Sequence, residues 1–72
     1  MPIIFSDHAK FQLKKRKIPE ELVKKAVLIA QTITSSYRGR KLRRMLVDDK
    51  LLEVITRTEG SKIIVITGYY LK

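Results

Sequence analysis

The sequence predicts an α+β fold, with two N-terminal helices packed on one face of an antiparallel sheet of three to four strands. Three observations lead there. Apolar residues recur at helical spacing, first as Phe5, Ala9 and Leu13 and then as Leu22, Val23, Ala26, Val27, Ile29 and Ala30. After them the pattern turns strand-like, in runs over 41–47, 51–58 and 62–70. The joins between these runs, Asp48-Asp49-Lys50 and Glu59-Gly60-Ser61, are of hairpin length. A chain of 72 residues has room for one core, so residues 1–72 form a single domain.

Each element has a local reason. Residues 1–5 are a short apolar segment, either the beginning of a strand or a staple onto the first helix. Ser6 is a good N-cap and Asp7 sits where the helix dipole favours an anion, so the first helix covers about 7–16. Pro19 suits the first turn of a second helix over roughly 19–30, with Glu20 and Glu21 at its positive end. Lys24 and Lys25 lie off its apolar face. Residues 32–37 are rich in Thr, Ser and β-branched side chains, and Gly39 interrupts them. Residues 51–55 and 63–66 are apolar at both parities, which marks central strands partly covered on both faces. Helices on one face alone would leave the other to a partner or a concave groove.

Composition narrows the chemistry. Cysteine is absent, and the single histidine, His8, cannot build a zinc site alone. The acids are scattered, without the spacing of a two-metal nuclease, and no Gly-rich phosphate loop, nucleophile elbow or dinucleotide fingerprint occurs. No cofactor or metal is therefore expected. The longest apolar run, 63–66, is too short to span a bilayer, and no signal-peptide core appears, so a cytoplasmic protein without a membrane partner is expected.

Sixteen Lys and Arg against seven Asp and Glu leave a net charge of +9. Residues 8–17 carry Lys10, Lys14, Lys15, Arg16 and Lys17 without an acid, and residues 37–47 carry Arg38, Arg40, Lys41, Arg43 and Arg44 likewise. Charge of this density attracts polyanions, either nucleic acid or an acidic protein segment. A heat-adapted surface is the plainer explanation, but such surfaces pair Lys with Glu, and these two stretches lack acids.

A metal-free enzyme acting on a polyanion is best suited to RNA, whose own 2′-OH can attack the adjacent phosphate once a base and cations are in position. His8 is the candidate base or acid, sharing a helix strip with Gln12 and Lys15, although a helix-start histidine can equally bond a local carbonyl. At strand spacing Lys41 and Arg43 face one way with Met45 and Val47, while Arg40 and Arg44 face the other with Leu42 and Leu46. Arg57 on the next run is a further cation for phosphate. The same cluster could simply guard an edge strand against aggregation. Thr67, Tyr69 and Tyr70 offer a hydroxyl and two rings near a sheet end, to bond a phosphate or stack a base, and one of the two rings is expected to pack into the core instead.

Phe5-Ser6-Asp7-His8-Ala9 opening a basic helix, Arg16-Lys17-Ile18-Pro19 before an apolar one, and 51–58 with Val65-Ile66-Thr67-Gly68-Tyr69 resemble a family of small uncharacterised prokaryotic domains. That family looks like the RelE/ParE toxins, within the barnase-like and RelE-like ribonuclease folds. The resemblance covers nearly the whole chain. It implies a toxin-like endoribonuclease or a relative, paired with an antitoxin, and it places the family's helix-start histidine on His8, a first-helix basic position on Arg16 and the closing threonine on Thr67. RelE/ParE-like proteins differ among themselves: some cleave mRNA on the ribosome, others poison gyrase. The chain departs from the family at Gln12, where a second arginine is common, and at Arg16-Lys17, where many members have Arg-Gly.

The leading expectation is a metal-independent endoribonuclease or RNA-binding relative, the toxin part of a toxin–antitoxin pair. Its catalytic group would be His8, Arg40, Arg44, Arg57 and Thr67. Lys15, Arg16, Arg38, Lys41, Arg43, Tyr69 and Tyr70 would bind RNA. The alternatives are a non-catalytic nucleic-acid-binding module and a protein-interaction domain that takes an acidic partner.

Overall fold

In a computed structural model the chain runs β1 (Ile3–Phe5), α1 (Asp7–Lys15), α2 (Glu20–Ile29), β2 (Thr32–Ser35), β3 (Arg40–Val47), β4 (Lys50–Glu59) and β5 (Lys62–Leu71). A tight turn at Tyr37–Gly39 joins β2 to β3. The structure describes residues 2–30 and 32–71; Met1, the first residue of the apolar N-terminal segment, lies outside them.

The helices start and stop for local reasons. The Ala9 N–H donates to Ser6 Oγ at 3.0 Å, capping α1. At the other end the Ile18 N–H donates to the Leu13 carbonyl at 2.9 Å and the Lys17 N–H to that of Lys14 at 3.1 Å. These are the two bonds of a Schellman motif, whose C′ residue must be left-handed. That residue is Lys17, with φ 59°. The motif's apolar partners, Leu13 and Ile18, are both buried in the core.

The sheet corrects the fold expected from sequence. It has five strands in the order β1-β5-β4-β3-β2, and it is mixed rather than antiparallel with three to four strands. Ile3, Ile4 and Phe5 pair in parallel with Ile63, Ile64 and Val65. Such a pair needs a long crossover, and here almost the entire chain lies between the two strands. Nothing local in a three-residue apolar run announces a partner sixty positions away. At the opposite edge β2 pairs antiparallel with β3, although all four of its residues are exposed and no alternation marks them as a strand.

Both helices lie on one face of this sheet. Ala9 and Leu13 of α1 and Val23, Ala26 and Val27 of α2 close over Phe5, Met45, Leu52, Val54, Ile63 and Val65. Gly68 lets α1 approach β5, since a Cβ there would stand 3.2 Å from Leu13 Cδ2. Among the described residues the other face carries no helix.

A β-bulge decides what the open face displays. Thr56 pairs with Val65 but Ile55 pairs with Thr67, so Ile66 is an extra residue in β5. Val65 thus faces the core while Thr67 and Tyr69 face the open side. Gly68 and Tyr70 turn to the helices.

Candidate nucleic-acid interface

The open face is built in rows across the strands. One row brings Tyr69, Glu53 and Arg44 side by side. The next holds Thr67, Ile55 and Leu42, and the one beyond it Ile64, Arg57 and Arg40. Arg40 and Arg44 are four residues apart on one strand, about 13 Å at the usual rise.

The Tyr69 row is a satisfied polar network. Arg44 Nε donates to Glu53 Oε1 at 2.7 Å, and the Tyr69 hydroxyl donates to Glu53 Oε2. Glu53 is only 4% exposed although no helix covers it, so the side chains around it form its shield. Burial works to raise the Glu53 pKa, but the hydrogen bonds from Tyr69 and Arg44, with the Arg44 charge, outweigh it and hold the carboxyl below the ordinary glutamate value. The Tyr69 phenol moves the opposite way: its hydrogen bond to Glu53, then burial and the carboxylate charge, raise its pKa against the smaller pull of Arg44 and Arg16. Tyr69 therefore keeps its proton at neutral pH and serves as a donor. Glu53 stood among the scattered acids of the sequence; its register opposite both Arg44 and Tyr69 is what singles it out.

Arg16 closes this row from the helix side. Beyond Val65 no described strand flanks the outer edge of β5, because β1 stops there. Arg16 reaches around that edge, where its Nη1 donates to Thr67 Oγ1 at 3.2 Å and to the Gly68 carbonyl at 3.0 Å. Its guanidinium also lies 5.9 Å from the centre of the Tyr69 ring. Arg16, Thr67, Tyr69, Glu53 and Arg44 thus form one continuous site.

Arg40 and Arg57 form a second. They stand directly opposite each other in the β3–β4 register, an arrangement that like charges disfavour unless an anion lies between them. Arg57 Nη2 donates to Glu59 Oε2 at 2.6 Å, whereas Arg40 has no charge partner among the described residues.

His8 joins neither group. It is exposed, and its imidazole has no hydrogen-bond or charge partner among the described residues. Helical spacing places His8, Gln12 and Arg16 on one flank of α1, with His8 about 12 Å along the axis from Arg16. Lys15 stays on the strip expected of it, about 20° round the helix from His8, and is exposed.

Other candidates have structural work instead. Arg43, 9% exposed, points to the covered face, where Nε donates to Thr56 Oγ1 at 3.0 Å and Nη1 to the Val27 carbonyl at 3.2 Å. It ties the last turn of α2 to the sheet. Tyr70 packs against the core, with Lys50 Nζ 5.5 Å from its ring centre, so the core ring is Tyr70 and the open-face ring Tyr69. Lys41 shares the parity of Arg43 but is exposed at the sheet end, and Arg38 sits in the β2–β3 turn.

Among the described residues no three His, Asp or Glu gather where they could hold a metal ion, and no helix is long and apolar enough to cross a membrane. A cavity of about 340 Å³ between α2 and the end of β3 is lined by Leu22, Ile29, Met45 and Val47, with Lys25 and Asp48 beside them, and includes none of the cations above.

No curated protein and no solved structure matches the chain. Residues 5–70 match the family model described as a domain of unknown function, DUF4258. That match does not itself tie the chain to the RelE/ParE toxins or the barnase-like folds. It spans all but the ends of the sequence and takes in α1, α2 and the four strands β2 to β5. The chain belongs to the DUF4258 family.

Proposed function

We propose that the open sheet face binds RNA and that the protein is a toxin-like RNA-binding domain. The observation that carries this reading is the pair Arg40 and Arg57, set opposite each other on a face no helix covers and in line with Arg44. Guanidinium forks grip phosphate in bidentate fashion, and with Arg57 already paired to Glu59 it is Arg40 whose charge an anion would satisfy. Thr67 and Tyr69 add a hydroxyl and a ring to the same face.

Metal-free cleavage is a second reading, favoured by the exposed His8 on the flank that ends in Arg16. His8 would take the 2′-OH proton as the 2′-oxygen bonds to phosphorus. The P–O5′ bond breaks and the 5′-oxygen leaves with a proton from water. Arg16, about 12 Å along the helix from His8, would hold a neighbouring phosphate of the same strand.

End-labelled RNA with wild type and His8→Ala, in EDTA at low and moderate salt, tests both readings. Binding that weakens steeply with salt is expected. EDTA-resistant cuts that fall at least about tenfold in His8→Ala support the cleavage reading; binding without cuts removes it and keeps the first. Absence of RNA binding overturns both and favours an acidic protein partner, such as an antitoxin strand, over the same cations.

A further inference from the structure

We propose that the β2–β3 tip is a nucleotide subsite specific for single-stranded RNA, in which one unpaired base stacks on Tyr37 while its phosphate lies between Arg40 and Arg57. The proposal rests on the RNA-binding reading and adds the form of RNA taken and the residue that selects it.

The tip is unusual in two respects. Arg38 and Gly39 both have positive φ, 61° and 73°. Consecutive left-handed residues are the pattern of a type I′ hairpin turn, which Asn-Gly fills with least strain. The Arg40 N–H donates to the Tyr37 carbonyl, and the Ser36 N–H donates to the Arg40 carbonyl at 2.7 Å, so the turn is closed on both sides. An arginine thus occupies a position that disfavours any residue with a Cβ. Strain of this kind is a pointer to function when the strained side chain has a task.

The second respect is Tyr37 itself. A tyrosine at a hairpin tip has no core to fill, and this one is 76% exposed. The Arg38 guanidinium lies 5.2 Å from its ring centre, so one face of the ring is backed by a cation and the other is open. Backing of this sort holds the ring in place as a stacking platform, the role aromatic side chains play for unpaired bases. Tyr37 and Arg40 are the first and fourth residues of the turn, so their Cα atoms lie within about 7 Å. A base on Tyr37 would therefore present its phosphate near Arg40, and Arg57 stands across the strand. Bases inside a duplex are already stacked and cannot reach the ring.

Fluorescence anisotropy with a short unstructured oligoribonucleotide, the same strand in duplex form, and heparin as a polyanion without bases tests the subsite. Tyr37→Ala is expected to weaken binding to the single strand about tenfold, the effect of losing one stacked base, and to leave heparin binding unchanged. Tyr37→Phe should stay within about twofold of wild type, because the ring is kept. Arg40→Ala should weaken both ligands. Arg38→Gly should raise the melting temperature, since it relieves the turn, and still weaken the single strand; a merely structural arginine would give the first effect without the second. If wild type binds RNA and Tyr37→Ala binds it equally well, or if the loss is the same with heparin or the duplex, the subsite is overturned and the RNA-binding reading stands. If wild type binds no RNA, both fall.

Discussion

The two faces of the sheet put the same residue type to opposite uses. On the covered face Arg43 spends its donors on Thr56 and the Val27 carbonyl, joining a helix end to the sheet. One residue later, on the open face, Arg44 holds one oxygen of Glu53, and Arg40 on the same side has no charge partner among the described residues. Cations under the helices are structural because burial demands that every donor be paired. Those on the open face can leave donors without a protein partner because water satisfies them. The strong basic charge of the chain is therefore not one surface property but two populations of side chains.

The sharpest way to break this comparison is to truncate neighbours of opposite face. Arg43→Ala should cost about 2–3 kcal/mol, since it removes two buried hydrogen bonds from a charged group, and urea melts would read it directly. Arg40→Ala should change stability by less than about 0.5 kcal/mol, as an exposed residue without a partner. Equal losses in the two variants would erase the distinction between the faces.

Glu53 sharpens it next. Its pKa is lowered in the folded protein, so the stability it contributes is complete above the ordinary glutamate value of 4.5 and is lost as pH falls through the lower folded value. Acid unfolding of wild type should show that limb, and Glu53→Gln should flatten it while costing about 1–3 kcal/mol at neutral pH through the weakened bonds to Arg44 and Tyr69. An unchanged acid limb in Glu53→Gln would mean that other carboxylates carry the transition.

Removing the facing arginines tests the proposed RNA face without touching the fold. Each of Arg40→Ala and Arg57→Ala should reduce the slope of log affinity for RNA against log salt by about one, with near-native melting. An unaltered slope in both variants would take the pair out of the interface.

The effect expected at Lys17 is small, and its sign is opposite. Lys17→Gly should stabilise the protein by about 0.5–1 kcal/mol, because the C′ position of α1 is left-handed and glycine meets no Cβ penalty there. A thermal melt would check it, and a fall in melting temperature would count against the Schellman assignment.

Local signals were legible wherever the cause was local. Ser6 as a cap, Pro19 at the start of α2, the apolar face of α2 and the joins after β3 and β4 are all carried by a few adjacent residues. The candidate site was legible only in part. Arg40 and Arg44 were readable as cations on one parity and Arg57 as a further cation on the next run, but Arg43 looked equally available until its neighbour above the sheet was known. Tyr69 and Tyr70 could not be told apart, and Glu53 drew no attention, because its significance lies in two strands that flank it.

By itself the sequence determined the two helices, the three long strands, the excess of cations and the absence of cysteine, since these follow from spacing, capping and composition. Tertiary structure alone decided that β1 pairs in parallel with β5 and that the extra residue Ile66 turns Thr67 and Tyr69 away from the core that Val65 enters. A bulge reverses the facing of every residue beyond it without leaving a mark on the alternation of side chains. Strand partners far apart in the chain are likewise chosen by packing, which no local pattern records.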